Sequence, residues 1–180
     1  MPLTLNIKNL DKTLAEIKAY PQDVEKIIDN EFKVFGQATV NDAKRNAPVN
    51  EGRLREMIGY FPEKGKVTIA VDVDYAAYVE FGTKSFAGAY VATLPSDWQQ
   101  FAAEFRGPAG GSFQELVMKI QKWVILKGIA TGKDANQSAY LIARKILIKG
   151  IRPQPYLFPA FEKNKLELIR NLKAQLNAKS

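Results

Sequence analysis

The chain of 180 residues contains no cysteine and no histidine. The first absence excludes disulfides and thiolate nucleophiles, and the second removes imidazole acids, bases and triads. Together they also exclude the usual zinc ligand sets. Long apolar runs are missing as well: no stretch of about eighteen apolar residues exists, so no membrane-spanning helix is expected. The N-terminal MPLTLNIKNLDK lacks the basic-then-apolar order of a signal peptide, which makes secretion unexpected and cytoplasmic synthesis the default. Serines are few, and none sits in a Gly-x-Ser-x-Gly elbow. The glycines at 107, 110 and 111 are followed by no Gly-Lys-Ser/Thr, so they read as a loop rather than a phosphate cradle.

What remains is a folding composition: 46% hydrophobic and 11% aromatic residues at a length usual for one domain. The formal charge of +7 is uneven, because residues 141–180 carry nine Lys or Arg against two Glu. Such a segment is either a solvated helix face or a contact for nucleic acid, an acidic protein surface or anionic lipid. Tyr156, Phe158 and Phe161 lie within it, which suggests base stacking beside phosphate contact. Helical spacing and neighbouring prolines favour instead a role as core anchors.

Along the chain, residues 10–20 suggest a short helix or arm. Residues 22–45 place Val24, Ile27, Ile28, Phe32, Phe35 and Ala38 at three- and four-residue steps, the period of an amphipathic helix, with Pro48 beyond its end. Strict alternation of Val67, Ile69, Val71, Val73 and Tyr75 predicts a half-buried strand. With residues 62–65 as the loop, it forms an antiparallel hairpin with the mixed strand before it. Gly and Pro between 86 and 111 read as loop around an aromatic-rich patch. Ser112 and Glu115 make a capping box ahead of a stripe from Phe113 to Val124, closed by Gly128. Residues 135–150 predict a further helix carrying Tyr140, Leu141, Ala143, Ile146 and Leu147. The prolines of IRPQPYLFPAF hold an extended segment until Pro159 starts a last helix near 160–177, burying Phe161, Leu168, Ile169, Leu172 and Leu176. The expected fold is a single α+β domain over 1–180. A small antiparallel sheet packs on a long helix, with a helical insertion at 85–149 and a C-terminal helix.

Candidates for chemistry are sparse. Asp72, Asp74 and Glu80 are the acids nearest one another and offer oxygen ligands for a divalent cation. Neither the calcium-loop pattern nor the metalloprotease helix motif is present, and acids on the wet face of a strand are ordinary. No cofactor or metal is expected, and the chain does not read as an enzyme.

Three segments taken in order, AKRNAPVNEGRLREMI, YAAYVEFGT and RPQPYLFPAF, resemble the tailed-phage head-tail joining and tail-completion family. The resemblance rests on Ala47, Pro48, Val49, Gly52, Arg53, Leu54 and Arg55, on Tyr75, Ala76, Tyr78, Val79, Glu80, Phe81, Gly82 and Thr83, and on Pro153, Pro155, Tyr156, Leu157, Pro159 and Ala160. It covers residues 22–84 and 150–178, with Tyr156 where phenylalanine is usual and residues 85–149 where shorter members have a loop. It implies a structural virion protein of the neck, made in the host cytoplasm, without an active site. It also implies a homo-oligomeric ring of six or twelve subunits touching neighbouring neck and tail proteins. In such a ring the charge of the basic tail suits non-specific contact with duplex DNA or with an acidic partner ring, and the lack of apolar runs leaves no membrane contact expected. The alternative is a basic nucleic-acid-binding protein outside any virion.

On this reading Tyr75 ends the buried strand face, Tyr78, Val79 and Phe81 fold over the sheet edge, and Gly82 reverses the chain. Glu80 is expected to pair with Arg53 or Arg55 or to meet a neighbouring subunit. The plainer expectation is that all nine residues of YAAYVEFGT are core and turn.

Overall fold

The computed structural model describes residues 3–6, 22–105 and 112–177. The expected arm at 10–20 and the glycines at 107, 110 and 111 lie outside the described residues. The chain divides into two compact units, residues 1–80 with 154–180, and residues 81–153.

In the first unit, strand β1 (Leu3–Asn6) is followed by helix α1 (Gln22–Asn46), the short helix α2 (Arg53–Glu56), strands β2 (Ile58–Glu63) and β3 (Lys66–Val71), and the single-turn helix α3 (Ala76–Phe81), whose last residue opens the second unit. The C-terminal helix α8 (Leu157–Asn177) completes it. The α+β class holds, and the sheet has three strands in the order β1-β3-β2. β1 escaped the sequence reading; it pairs antiparallel with β3, Leu3 opposite Val71 and Leu5 opposite Ile69.

The hairpin loop is shorter than expected. Pro62 pairs with Val67 inside the ladder, and Lys64-Gly65 alone make the turn. A proline fits there because β2 is an edge strand and does not need every N–H. The amide of Gly65 donates to Asp29 on α1 (2.8 Å), and Lys64 pairs with Glu25 (2.8 Å), so the turn is fixed to the helix that covers the sheet.

Alternation places Val67, Ile69 and Val71 against α1, where Val24, Ile28, Phe32 and Phe35 are equally buried. Gly36 sits where the hairpin crosses that helix: a Cβ there would come within 2.6 Å of the Tyr60 ring and 2.9 Å of Val67. Only a residue without a side chain allows the approach. α8 lies along α1, joined by Phe35 and Phe161 edge-on at 5.4 Å, a contact worth roughly 1 kcal/mol beyond burial. Leu157, Ala160, Phe161 and Leu168 are its buried face, while Ile169, expected inside, is exposed.

The second unit holds α4 (Lys84–Val91), α5 (Ser96–Ala103), α6 (Phe113–Leu126) and α7 (Gly132–Lys149). The loop expected over 86–111 is therefore two helices as far as residue 103. Pro95 marks the start of α5 rather than interrupting it, and Gly88 meets open space within α4. Around α5 the stabilising contact is aromatic: Phe81, Trp98, Phe101 and Phe105 pack, mostly edge-on, with ring centroids 5.2–6.4 Å apart.

The capping box at Ser112 and Glu115 forms as read, and Gly128 follows α6 with φ 65°. α6 and α7 close on a core of Ile120, Val124, Ala135, Ala139 and Ala143. The buried stripe of α7 is thus its alanines at four-residue steps, which let the two helices approach closely. Of the residues named for the expected helix, Ala143 is buried, while Tyr140, Leu141 and Leu147 are exposed.

Candidate functional site

The three motif segments converge, and the polar groups they bring are directed at backbone. Glu80, on α3, is completely buried. One carboxylate oxygen accepts from the amides of Tyr156 and Leu157, both at 2.8 Å, and the other from Phe158 at 2.9 Å. These amides lie at the first turn of α8, where a helix supplies no acceptor of its own, and the next residue, Pro159, has no N–H to satisfy. A carboxylate from a distant segment therefore caps the last helix, with the charge that a helix N-terminus favours.

Burial pushes the Glu80 pKa above its ordinary value, and the three amides oppose that shift by favouring the ionised form. Beside it, the Gln154 amide donates to the Val79 carbonyl (2.8 Å), fastening the extended proline segment to α3.

Arg55 does the converse at the opposite kind of helix end. Its Nε and Nη2 donate to the Ala47 carbonyl (3.1 and 2.9 Å), and Nη2 also to that of Arg45 (3.4 Å). These carbonyls lie at the C-terminus of α1, where a cation is favoured. The expected pairing of Glu80 with Arg53 or Arg55 is thus corrected: each charge has a helix terminus as its partner, and Arg53 is exposed. Asn46 links the first motif to the third through a long contact to the Tyr156 carbonyl (3.5 Å).

Other motif residues sort by position. Tyr75 is exposed rather than ending the buried face, because β3 stops at Val71 and Ala76 donates to the Val73 carbonyl (3.1 Å), turning the chain into α3. Tyr78 is half-buried, and Phe81 joins the aromatic cluster with Trp98 instead of folding over the sheet edge.

Gly82, with φ 72°, reverses the chain in a space where a Cβ would lie 2.7 Å from the Ile151 carbonyl oxygen. Thr83 clasps the returning segment: its amide donates to the Ile151 carbonyl (3.0 Å), and its hydroxyl accepts from the Ile151 amide (2.7 Å). Pro153 and Pro155 are half-buried in the extended stretch, and Phe158 is half-buried at the start of α8. Tyr156 is fully buried, its hydroxyl without a partner among the described residues. Burial, then the Glu80 charge, raises its pKa well beyond the ordinary phenol range.

A second polar cluster, missed in the sequence, joins α1 to α8. Asp42 accepts from Arg45, from Lys163 (2.9 Å) and from Asn164 (3.0 Å), and Asn164 also donates to the Ala160 carbonyl (2.7 Å). These partners, Lys163 foremost, hold the Asp42 carboxyl below its usual pKa against the effect of burial. Glu31 accepts from Asn171 and Gln175 further along. The available signal was position: Glu31, Thr39 and Asp42 fall at three- and four-residue steps with Phe35, on the stripe that α1 buries.

The candidate cation ligands are not brought together. Asp72 and Asp74 are exposed while Glu80 is buried on amides. Among the described residues no group of three or more acids could hold a metal, and no helix is long and apolar enough to cross a membrane. In the basic tail, Lys163 pairs with Asp42 and Lys165 with Glu162 (3.4 Å).

Neither a curated protein nor a solved structure matches the chain. Residues 11–82 match a family model described as "Bacteriophage HK97-gp10, putative tail-component". The matched span contains the first motif and all but the last residue of the second, while the third, 152–161, lies beyond it. The match, over residues 11–82, is to a phage tail-component family and agrees with the resemblance read from the motifs.

Proposed function

We propose that this protein is a structural component of the virion neck, a head-tail connector or tail-completion protein that forms a ring between the DNA-filled capsid and the tail. The match to a phage tail-component family supports a structural role in the particle. The observation that carries the finer reading is the use made of the motif charges. Glu80 and Arg55, both in the segments that resemble head-tail joining proteins, cap helix ends: Glu80 ties the second motif to the third, and Arg55 folds the first motif back on the end of α1. Those motifs specify a shape, and a protein that works by shape acts through its surfaces and its copies.

The test is electron microscopy of particles from a host whose copy of this gene is deleted. Packaged heads and separate tails accumulating side by side are expected. Normal infectious particles would overturn the reading and favour a basic nucleic-acid-binding protein instead.

A further inference from the structure

The helical pair α6–α7 leaves an unusual surface. Residues 113–149 hold seven Lys or Arg against Glu115 and Asp134 alone, and both acids stand in the first turns of their helices. All seven cations are exposed, and none forms an ion pair among the described residues. Interspersed with them are exposed Met118, Ile125, Leu126, Leu141, Leu147 and Ile148, with Leu126 at 65% and Ile148 at 66% exposure. The pair already buries its own core, so these side chains are surplus to its folding. Exposed apolar groups at this density mark a contact surface.

The first unit carries the complementary chemistry. Glu51 and Glu56 are exposed on the segment leading to Met57, and Asp72 is exposed at the end of β3; Met57 and Tyr75 are also exposed. The Asp72 amide donates to the Met57 carbonyl (3.2 Å), which ties the end of β3 to the segment after α2. Arg53 is the exposed cation there, since the Arg55 guanidinium is turned onto the Ala47 carbonyl.

From this complementarity we infer that the basic, apolar face of α6–α7 docks on the acidic, apolar patch around Met57 of a second copy of this chain. Two basic faces repel, so the contact is heterologous: it repeats from copy to copy and closes into a ring or continues as a filament. Duplex DNA matches the charge but gives the exposed Leu and Ile side chains nothing to bury against. The inference rests on the ring reading and names the surfaces that make the ring.

The experiment is light scattering on the purified full-length chain, with circular dichroism to verify folding. Lys145→Glu/Lys149→Glu and Glu56→Lys/Asp72→Lys should each shift the protein from assembled to monomeric. Mixing the two variants should restore assembly, because every contact then joins opposite charges. A monomeric native chain, or variants that assemble like it, would overturn the inference. Loss in each variant without restoration on mixing would also overturn it and point to a different acidic partner, and assembly only on added duplex DNA would favour nucleic acid. None of these outcomes bears on the particle microscopy, which reads joining directly.

Discussion

The two units use charge in opposite ways. In the first, Glu80 and Arg55 of the motifs are turned onto the backbone, capping the start of α8 and the end of α1, while Asp42 bridges the two helices through side chains. In the second, the core of α6 and α7 is wholly apolar and the charges point to solvent. A buried charge is costly unless every partner is in place, so the first unit tolerates few substitutions at those positions. An outward charge is cheap to change, which leaves the second unit's surface available for recognition.

The sharpest way to break this contrast is Glu80→Ala, which leaves three amides buried without an acceptor. It should lower unfolding stability by about 3 kcal/mol, read from denaturant midpoints, and an unchanged midpoint would show that the cap is dispensable. Acid should come next. The lowered pKa of Asp42 means that its contribution is fully present above the ordinary carboxylate value of about 4 and is lost as pH falls below it. Asp42→Asn should flatten that acid slope in pH-dependent melting. Glu80, with its pKa raised, works in the opposite sense: its stabilisation declines as pH rises above the ordinary carboxylate value.

Arg55→Ala removes a cation from a partly exposed helix end and should cost about 1 kcal/mol. Tyr156→Phe deletes a buried hydroxyl that has no partner among the described residues. It should raise the melting temperature by a few degrees or leave it unchanged, whereas a clear drop would reveal a bond to that hydroxyl. Smallest of all, Lys145→Glu/Lys149→Glu should alter monomer stability by less than about 0.5 kcal/mol while altering assembly, which separates surface from scaffold.

The sequence by itself determined the elements with a strong local cause. The 3.6-residue period of α1, the alternation of β3, the Ser112 box, the stop at Gly128 and the reversal at Gly82 each follow from neighbouring residues. The motif order also carried a resemblance to phage head-tail joining proteins, and residues 11–82 match a phage tail-component family model. Tertiary structure decided where the charges went. Glu80 and the α8 amides are separated by 76 to 78 positions, a pairing that no local pattern encodes, and salt-bridge chemistry made Arg53 and Arg55 the natural but wrong partners.

The helix at 96–103 was hidden for a related reason: Pro95 argues locally for a loop, and the packing of Phe81 against Trp98 and Phe101 outweighs it. On α7, periodicity alone does not distinguish a stripe of alanines from one of leucines. Only the close approach of α6 selects Ala135, Ala139 and Ala143 for the inside and leaves Leu141 and Leu147 in solvent.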